Sequence, residues 1–415
     1  MKVAVISAFP PTKDNIGAPT ALPYQILNNI LANLDIDLYY FPASDKYKEI
    51  VSKDISRLPL RSVCELQSPK NKFIQKYIRW KNRKEDLPPG VALFPPIREA
   101  IKKINLSKPD AVWLYPHWLT NWVKYINCQN ILVSGMDSAV LHNERVIKFG
   151  NWHTFEEISP EFKLLRQNTN LEKKLGTLPV KVHMVGLEDV RKYASVSRQP
   201  HQAFYIPHPH YDYVPIQSKL TDNLDKITIL FSGGGNTVYV GDHLVRIINS
   251  LIEQAKSLSP HFKFLFIGSG YESFQLDLKN VGYTVEYVKW VDNYSEAISR
   301  ALIQIFPIAV GTGTKGKVLQ ALATGILGIG SEFAFENINI KPGEDYILYT
   351  RPEDVASNLL NVKNNLLVYE RMANSAAVKV RTNHSPEYTS RLFWQEFLKL
   401  DDQVDLCIQK ELIKT

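Results

Sequence analysis

The sequence predicts two doubly wound α/β domains in tandem, each a parallel sheet covered by helices on both faces. Three observations carry that expectation. The chain has 415 residues, more than one hydrophobic core supports, so two units of roughly 200 residues each are expected. Apolar, β-branched runs alternate with helical segments in two successive series, the grammar of parallel sheets buried on both faces. A stretch rich in proline and polar residues separates the series.

The first series comprises Val3 to Ser7, Asp37 to Phe41, Ala111 to Tyr115, Ile131 to Ser134, Lys181 to Val185 and Ala203 to Ile206. The second comprises Ile227 to Phe231, Phe262 to Ile267, Val285 to Val288, Ala301 to Phe306, Ile326 to Gly330 and Tyr346 to Tyr349. Between them, Pro207 to Asp225 suits an exposed linker. The domains are therefore expected at 1–206 and 226–384, with a helical segment at 385–415 that packs on either domain, the N-terminal one included. Ser385-Pro386-Glu387 is a helix start: Ser as N-cap, Pro at the first position, Glu in the first turn.

Composition is globular, 45% hydrophobic and 22% charged, which sets aside a disordered chain. Cys64, Cys128 and Cys407 show no metal-ligand or redox spacing, so a reducing cytoplasm is expected. The N-terminal MKVAVISAFPP reads as a first strand ending in a turn, without a small-residue cleavage site. No apolar run reaches the length of about 18 residues that a spanning helix needs. The formal net charge is +7, and much of the excess lies between Lys70 and Lys84. There, basic residues interleave with Phe73, Tyr77 and Trp80 at helical spacing, suiting either an anionic membrane surface or a solvated helix packed on its own domain. No recognised nucleic-acid motif accompanies that charge, so nucleic acid is not an expected partner.

Ligands bind doubly wound sheets beyond the carboxyl ends of their strands, so the loops there hold the candidate chemistry. Gly233 and Gly234 follow a strand and precede a helix, which allows a phosphate to approach the backbone or marks a plain turn. Pro307 to Lys317 places glycines and hydroxyls ahead of two lysines at a helix start, an arrangement that neutralises a diphosphate through amide N–H groups and ammonium charge. Thr314, Lys315, Lys317 and, on the same helix face as Lys317, Gln320 are its candidates. On the first domain, Asp137 after Ile131 to Ser134 is the leading general base, or else the N-cap of the next helix. His117 is the rival base, with a buried structural role as its alternative. Gly17, His142 and Arg145 are acceptor-side candidates, and Glu336 reaches the cleft or caps a helix. His208, His210 and Asp212 are read as hinge contacts in preference to a metal site.

The run Gly313-Thr314-Lys315-Gly316-Lys317-Val318-Leu319-Gln320-Ala321-Leu322-Ala323-Thr324-Gly325 resembles the donor-site segment of GT-B glycosyltransferases. That resemblance implies two Rossmann-like domains facing a cleft, a nucleotide diphosphate sugar as donor and no catalytic metal or other cofactor. In retaining enzymes of glycosyltransferase family 4, two glutamates bracket this loop; Thr312 and Gln320 stand at the corresponding positions. The Lys317-x-x-Gln320 pair is similar to bacterial polysaccharide glucuronosyltransferases of family 70, which are inverting and act on lipid-linked acceptors. By that resemblance Lys317 holds the diphosphate and Gln320 the ribose, with Lys315 a competing phosphate ligand. A metal-independent, inverting transfer of a sugar to a saccharide or polyprenyl-linked glycan follows as the expectation, with the enzyme cytoplasmic or peripheral on the membrane's inner face. A sugar-nucleotide 2-epimerase of the same fold and a catalytically degenerate scaffold are the alternatives.

Overall fold

The structure is a computed structural model that describes residues 1–13, 19–67, 71–73, 76–77, 94–222, 225–235 and 237–399. Gly17, most of the Lys70 to Lys84 segment and the chain beyond Lys399 lie outside the described residues.

Among the described residues, seven strands form the first sheet: β1 (Lys2–Ser7), β2 (Asp35–Tyr40), β3 (Ser62–Glu65), β4 (Ala111–Tyr115), β5 (Ile131–Met136), β6 (Lys181–Met184) and β7 (Ala203–Tyr205). Six form the second: β8 (Ile227–Ser232), β9 (Phe262–Ile267), β10 (Thr284–Val288), β11 (Ile303–Phe306), β12 (Leu327–Gly330) and β13 (Ile347–Leu348). The orders are β3-β2-β1-β4-β5-β6-β7 and β10-β9-β8-β11-β12-β13. Every pairing between these strands is parallel. Each of the twelve apolar runs named from sequence overlaps a strand, and β3 is the addition.

Parallel pairing forces crossover helices onto both faces, which is why central strands such as β4 and β11 are buried throughout instead of alternating. In β1, Val3 and Val5 enter the core layer that holds Leu38 and Trp113, while Ala4 and Ile6 enter the opposite layer with Ile101 and Trp122. Side chains of a strand alternate between faces, so one continuous apolar run serves two cores. Strand order reverses direction at β1/β4 and at β8/β11, the switch points where loops diverge and leave a crevice beyond the strand ends.

The connection after β7 differs from the exposed linker expected. His208, His210 and Tyr211 are buried. His210 N–H donates to the His384 carbonyl (2.8 Å), and the His384 ring Nδ1 lies 2.8 Å from the His208 carbonyl oxygen. Two crossings between the domains are thus tied to each other. Burial lowers the pKa of His208 to about 4 and of His384 to about 4, so both are neutral near pH 7.

After the second crossing, the Pro386–Leu398 helix returns to the first domain. Ser385 Oγ caps it by accepting from Tyr388 N–H. Phe393, Trp394 and Phe397 are fully buried against Trp113 and the first sheet. Ser390 Oγ lies 2.8 Å from the Ile26 carbonyl and 2.7 Å from that of Asn29. Among the described residues no helix is long and apolar enough to cross a membrane. Because the last helix completes the first core, Phe393→Ala is expected to destabilise the N-terminal domain by about 3–5 kcal/mol, measured as a lower urea midpoint at unchanged m-value.

Candidate active site

The β11 loop opens into the Gly316–Thr324 helix, with Lys315 at its N-cap and Lys317 in its first turn. Gly313 takes a positive φ of 60°, and a Cβ there would collide with Asp137 Oδ1. The loop therefore passes close to the other domain only because this residue lacks a side chain. A cavity of about 430 Å³ lies beneath it. Ser232, Gly233, Gly234, Tyr271, Gln304, Lys315 and Lys317 line it from the second domain, Asp137 from the first, and Tyr211 from the connection.

The two lysines differ in what already neutralises them. Lys315 Nζ donates to the Gly313 carbonyl (3.0 Å) and lies 3.4 Å from Glu336 Oε2. Glu336 in turn receives a two-pronged pair from Arg145 (2.7 and 2.6 Å), whose guanidinium also donates to the Gly311 carbonyl (2.7 Å). Lys317 has no hydrogen-bond or salt-bridge partner among the described residues. Its ammonium lies 5.4 Å from the Tyr294 ring centre, and a Cβ on Gly233 would stand 3.5 Å from it. Lys317 opens onto the cavity while its surroundings are dense with protein atoms, and that loss of solvent lowers its pKa. An unpaired cation faces a glycine loop at a helix start. That arrangement has the charge and the geometry to take an anion.

Asp137 is not a helix cap. The Ala139–Phe149 helix is capped by Ser138, whose Oγ accepts from Leu141 N–H. A register shift between Ser134 and Met136 breaks the β5–β6 ladder just before Asp137, and such irregularities re-aim the side chains that follow. Asp137 Oδ2 accepts from Thr312 Oγ1 (3.3 Å). Burial raises its pKa, against the opposing pull of Lys315 and His142. A carboxyl whose affinity for a proton is raised and that opens to a cavity has the chemistry of a general base.

Asp189, absent from the sequence reading, links this carboxylate to the loop. Its Oδ1 accepts from Ser138 N–H (2.9 Å) and its Oδ2 from Gly313 N–H (3.0 Å). Burial, reinforced by the Asp137 charge, pushes its carboxyl up to about 7. The signal available in sequence was Gly186-Leu187-Glu188-Asp189 after the fifth apolar run, the same strand-loop-helix grammar that selected Asp137.

The remaining candidates fall into three groups. Arg145 and His142 do reach across the cleft, Arg145 to Glu336 and His142 to within 5.7 Å of the Tyr239 ring centre. Thr314 faces the first domain, its hydroxyl donating to the Val185 carbonyl (2.6 Å). His117 and Gln320 depart from expectation. The buried His117 ring lies outside the cavity lining, its Nδ1 is unpartnered and its pKa is lowered to about 4, so it is a poor base near pH 7. Gln320 is 1% exposed, and its amide donates to the Asp212 carbonyl and Ser295 Oγ, both at 2.9 Å. Committed to the connection between domains, it is not free for a ribose in this arrangement. Among the described residues no cluster of three His, Cys, Asp or Glu side chains has the geometry to hold a metal.

Residues 227–365 match the family described as Glycosyl transferases group 1. Over the whole fold the chain is similar to Anabaena Alr3699/HepE, solved in complex with UDP, at a TM-score of 0.66 and 10% identity, covering 96% of this chain and 100% of that one. It is also similar to sucrose-phosphate synthase from Thermosynechococcus elongatus, with a TM-score of 0.66, 16% identity, and 96% and 98% of the two chains covered. The lipopolysaccharide outer core galactosyltransferase WaaB gives a TM-score of 0.58 at 13% identity, with 96% and 100% covered. No curated protein matches the chain by sequence. The architecture is the GT-B fold, and its second sheet domain is a glycosyltransferase domain, which bears out the resemblance read from Gly313 to Gly325.

One buried acid beneath the site gives a pH prediction. Glu172 accepts from Ser138 Oγ (2.9 Å) and Val140 N–H (3.2 Å), and burial nonetheless raises its carboxyl from 4.5 to about 6. With the folded pKa above the unfolded one, this contribution to stability is complete below pH 4.5 and is lost as pH rises through 6. Glu172→Gln keeps the acceptor oxygen and removes the titration. The variant is expected to lose roughly 2 kcal/mol less than wild type across this window, read from urea unfolding at a series of pH values.

Proposed function

We propose that the protein transfers a glycosyl group from a uridine diphosphate sugar to a hydroxyl of a saccharide or lipid-linked glycan, with inversion and without a metal. The observation that carries this reading is the unpaired Lys317 ammonium facing Gly233 and Gly234 in the cavity that also holds Asp137. The similarity to a protein solved with UDP, and also with UDP-glucose, supports the choice of nucleotide.

In this mechanism the diphosphate lies between Lys317 and the Gly233-Gly234 backbone. The acceptor oxygen attacks the anomeric carbon from the face opposite the diphosphate as the bond to the leaving oxygen breaks. Asp137 takes the acceptor proton. Lys317 and the backbone N–H groups take up the charge of the departing diphosphate. Lys315, already balanced by Glu336, keeps the loop in place and adds a second, weaker positive charge. The lysine charge does the work a divalent cation would do on the diphosphate, so donor binding is expected to be the same with EDTA as with magnesium. Membrane attachment through Lys70 to Lys84 belongs to the same proposal and is supported by the charge of that segment.

Calorimetry with UDP and product analysis with a panel of UDP-sugars test the reading. Lys317→Ala is expected to weaken UDP binding about 10- to 100-fold. Asp137→Asn is expected to bind UDP normally while transfer falls about 100- to 10,000-fold. A wild-type protein that does not bind UDP contradicts the donor assignment, and an Asp137→Asn enzyme with full transfer removes Asp137 as the base.

A further inference from the structure

Asp189 does not line the cavity, yet its side chain bonds both to the loop after β5 and to the loop that carries Lys315 and Lys317. It stands in the first turn of the Leu187–Ser197 helix, fully buried. One oxygen holds Ser138 N–H, the residue after Asp137. The other holds Gly313 N–H, in the loop that carries Lys315 and Lys317. The same residue is held at its carbonyl as well: Asn337 Nδ2 donates to the Gly313 carbonyl (3.2 Å), while Asn337 Oδ1 accepts from Leu187 N–H (2.8 Å), at the start of the Asp189 helix.

We propose that Asp189 is a positioning residue that sets the separation between Asp137 and the diphosphate-holding lysines by bridging Ser138 N–H and Gly313 N–H across the cleft. This rests on the transfer reading above and adds how the two domains are brought into register for it. A carboxylate is the group the geometry needs, since both of its oxygens accept and each N–H requires an acceptor. Two N–H donors on different domains share one rigid planar group, so closing the cleft and aiming the base are one event. Without the bridge, UDP still meets Lys317 on the second domain, but the base and the anomeric carbon lose their fixed spacing.

Two substitutions break the bridge by different routes. Asp189→Asn keeps the size but turns an N–H₂ toward one of the two donors. Gly186→Ala leaves the carboxylate and its charge in place, but a Cβ there would collide with Asp189 Oδ2. Both are expected to lower kcat about 10- to 100-fold with UDP affinity unchanged, and to raise donor hydrolysis relative to transfer as water reaches the site. Amide hydrogen exchange gives a readout that needs no substrate: Gly313 and Ser138 are protected in wild type and lose protection together in either variant. Rapid exchange of the wild-type Gly313 amide overturns the bridge. So does an unchanged kcat in the folded variants, or UDP affinity that falls in step with kcat. A wild type that fails to bind UDP while Gly313 and Ser138 remain coupled in exchange would instead sink the transfer reading and leave the bridge standing.

Discussion

Polar groups of the Gly311 to Lys317 loop find partners on the other domain, and the rest of the site depends on that constraint. Gly311 O is held by Arg145, Gly313 N–H by Asp189, and the Thr314 hydroxyl by the Val185 carbonyl. Buried backbone groups left without partners are costly, so an open cleft must hand these partners over to water. Closure is therefore written into the hydrogen bonds of one loop, and the cavity below it takes its walls from both sheets.

Charge follows the same division. Asp137, Asp189 and Glu336 come from three different segments and face Lys315 and Arg145 in a space with little water. Burial drives the Asp137 and Asp189 carboxyls upward and Lys315 downward, as expected where charge is costly. Within that group, Glu336 with its two cations is balanced. Lys317 stands outside it, without a hydrogen-bond or salt-bridge partner among the described residues. The structure thus separates two lysines that are adjacent in type and spacing: Lys315 is tied to Gly313 and Glu336, and Lys317 faces Gly233 in the cavity.

How much of this was legible in the sequence depends on the range of the interactions. Strands buried on both faces announce themselves as apolar runs, and the Ser385-Pro386-Glu387 start is local chemistry, so both were readable. β3 was not, because Ser-Val-Cys-Glu is a short edge strand with Val63 half exposed and no apolar run to mark it. The motif around Lys317 was readable as a loop before a helix, but the inward turn of Gln320 depends on Asp212 and Ser295, far away in the chain. Asp189 and the Arg145–Glu336 pair depend on contacts between domains, and no local pattern states which carboxylate meets which cation. The buried connection at His208 to Tyr211 was obscured by its own composition, since Pro, His and Tyr read as a surface stretch until His384 supplies their partner.

The central claim is that Lys317 and the Gly233-Gly234 backbone form the diphosphate site. A crystal structure of the protein bound to UDP tests it most directly. The account predicts diphosphate oxygens about 3 Å from Lys317 Nζ, lying against Gly233 and Gly234 with Asp137 across the same cavity. A diphosphate bound elsewhere, with Lys317 turned away from it, would contradict the account.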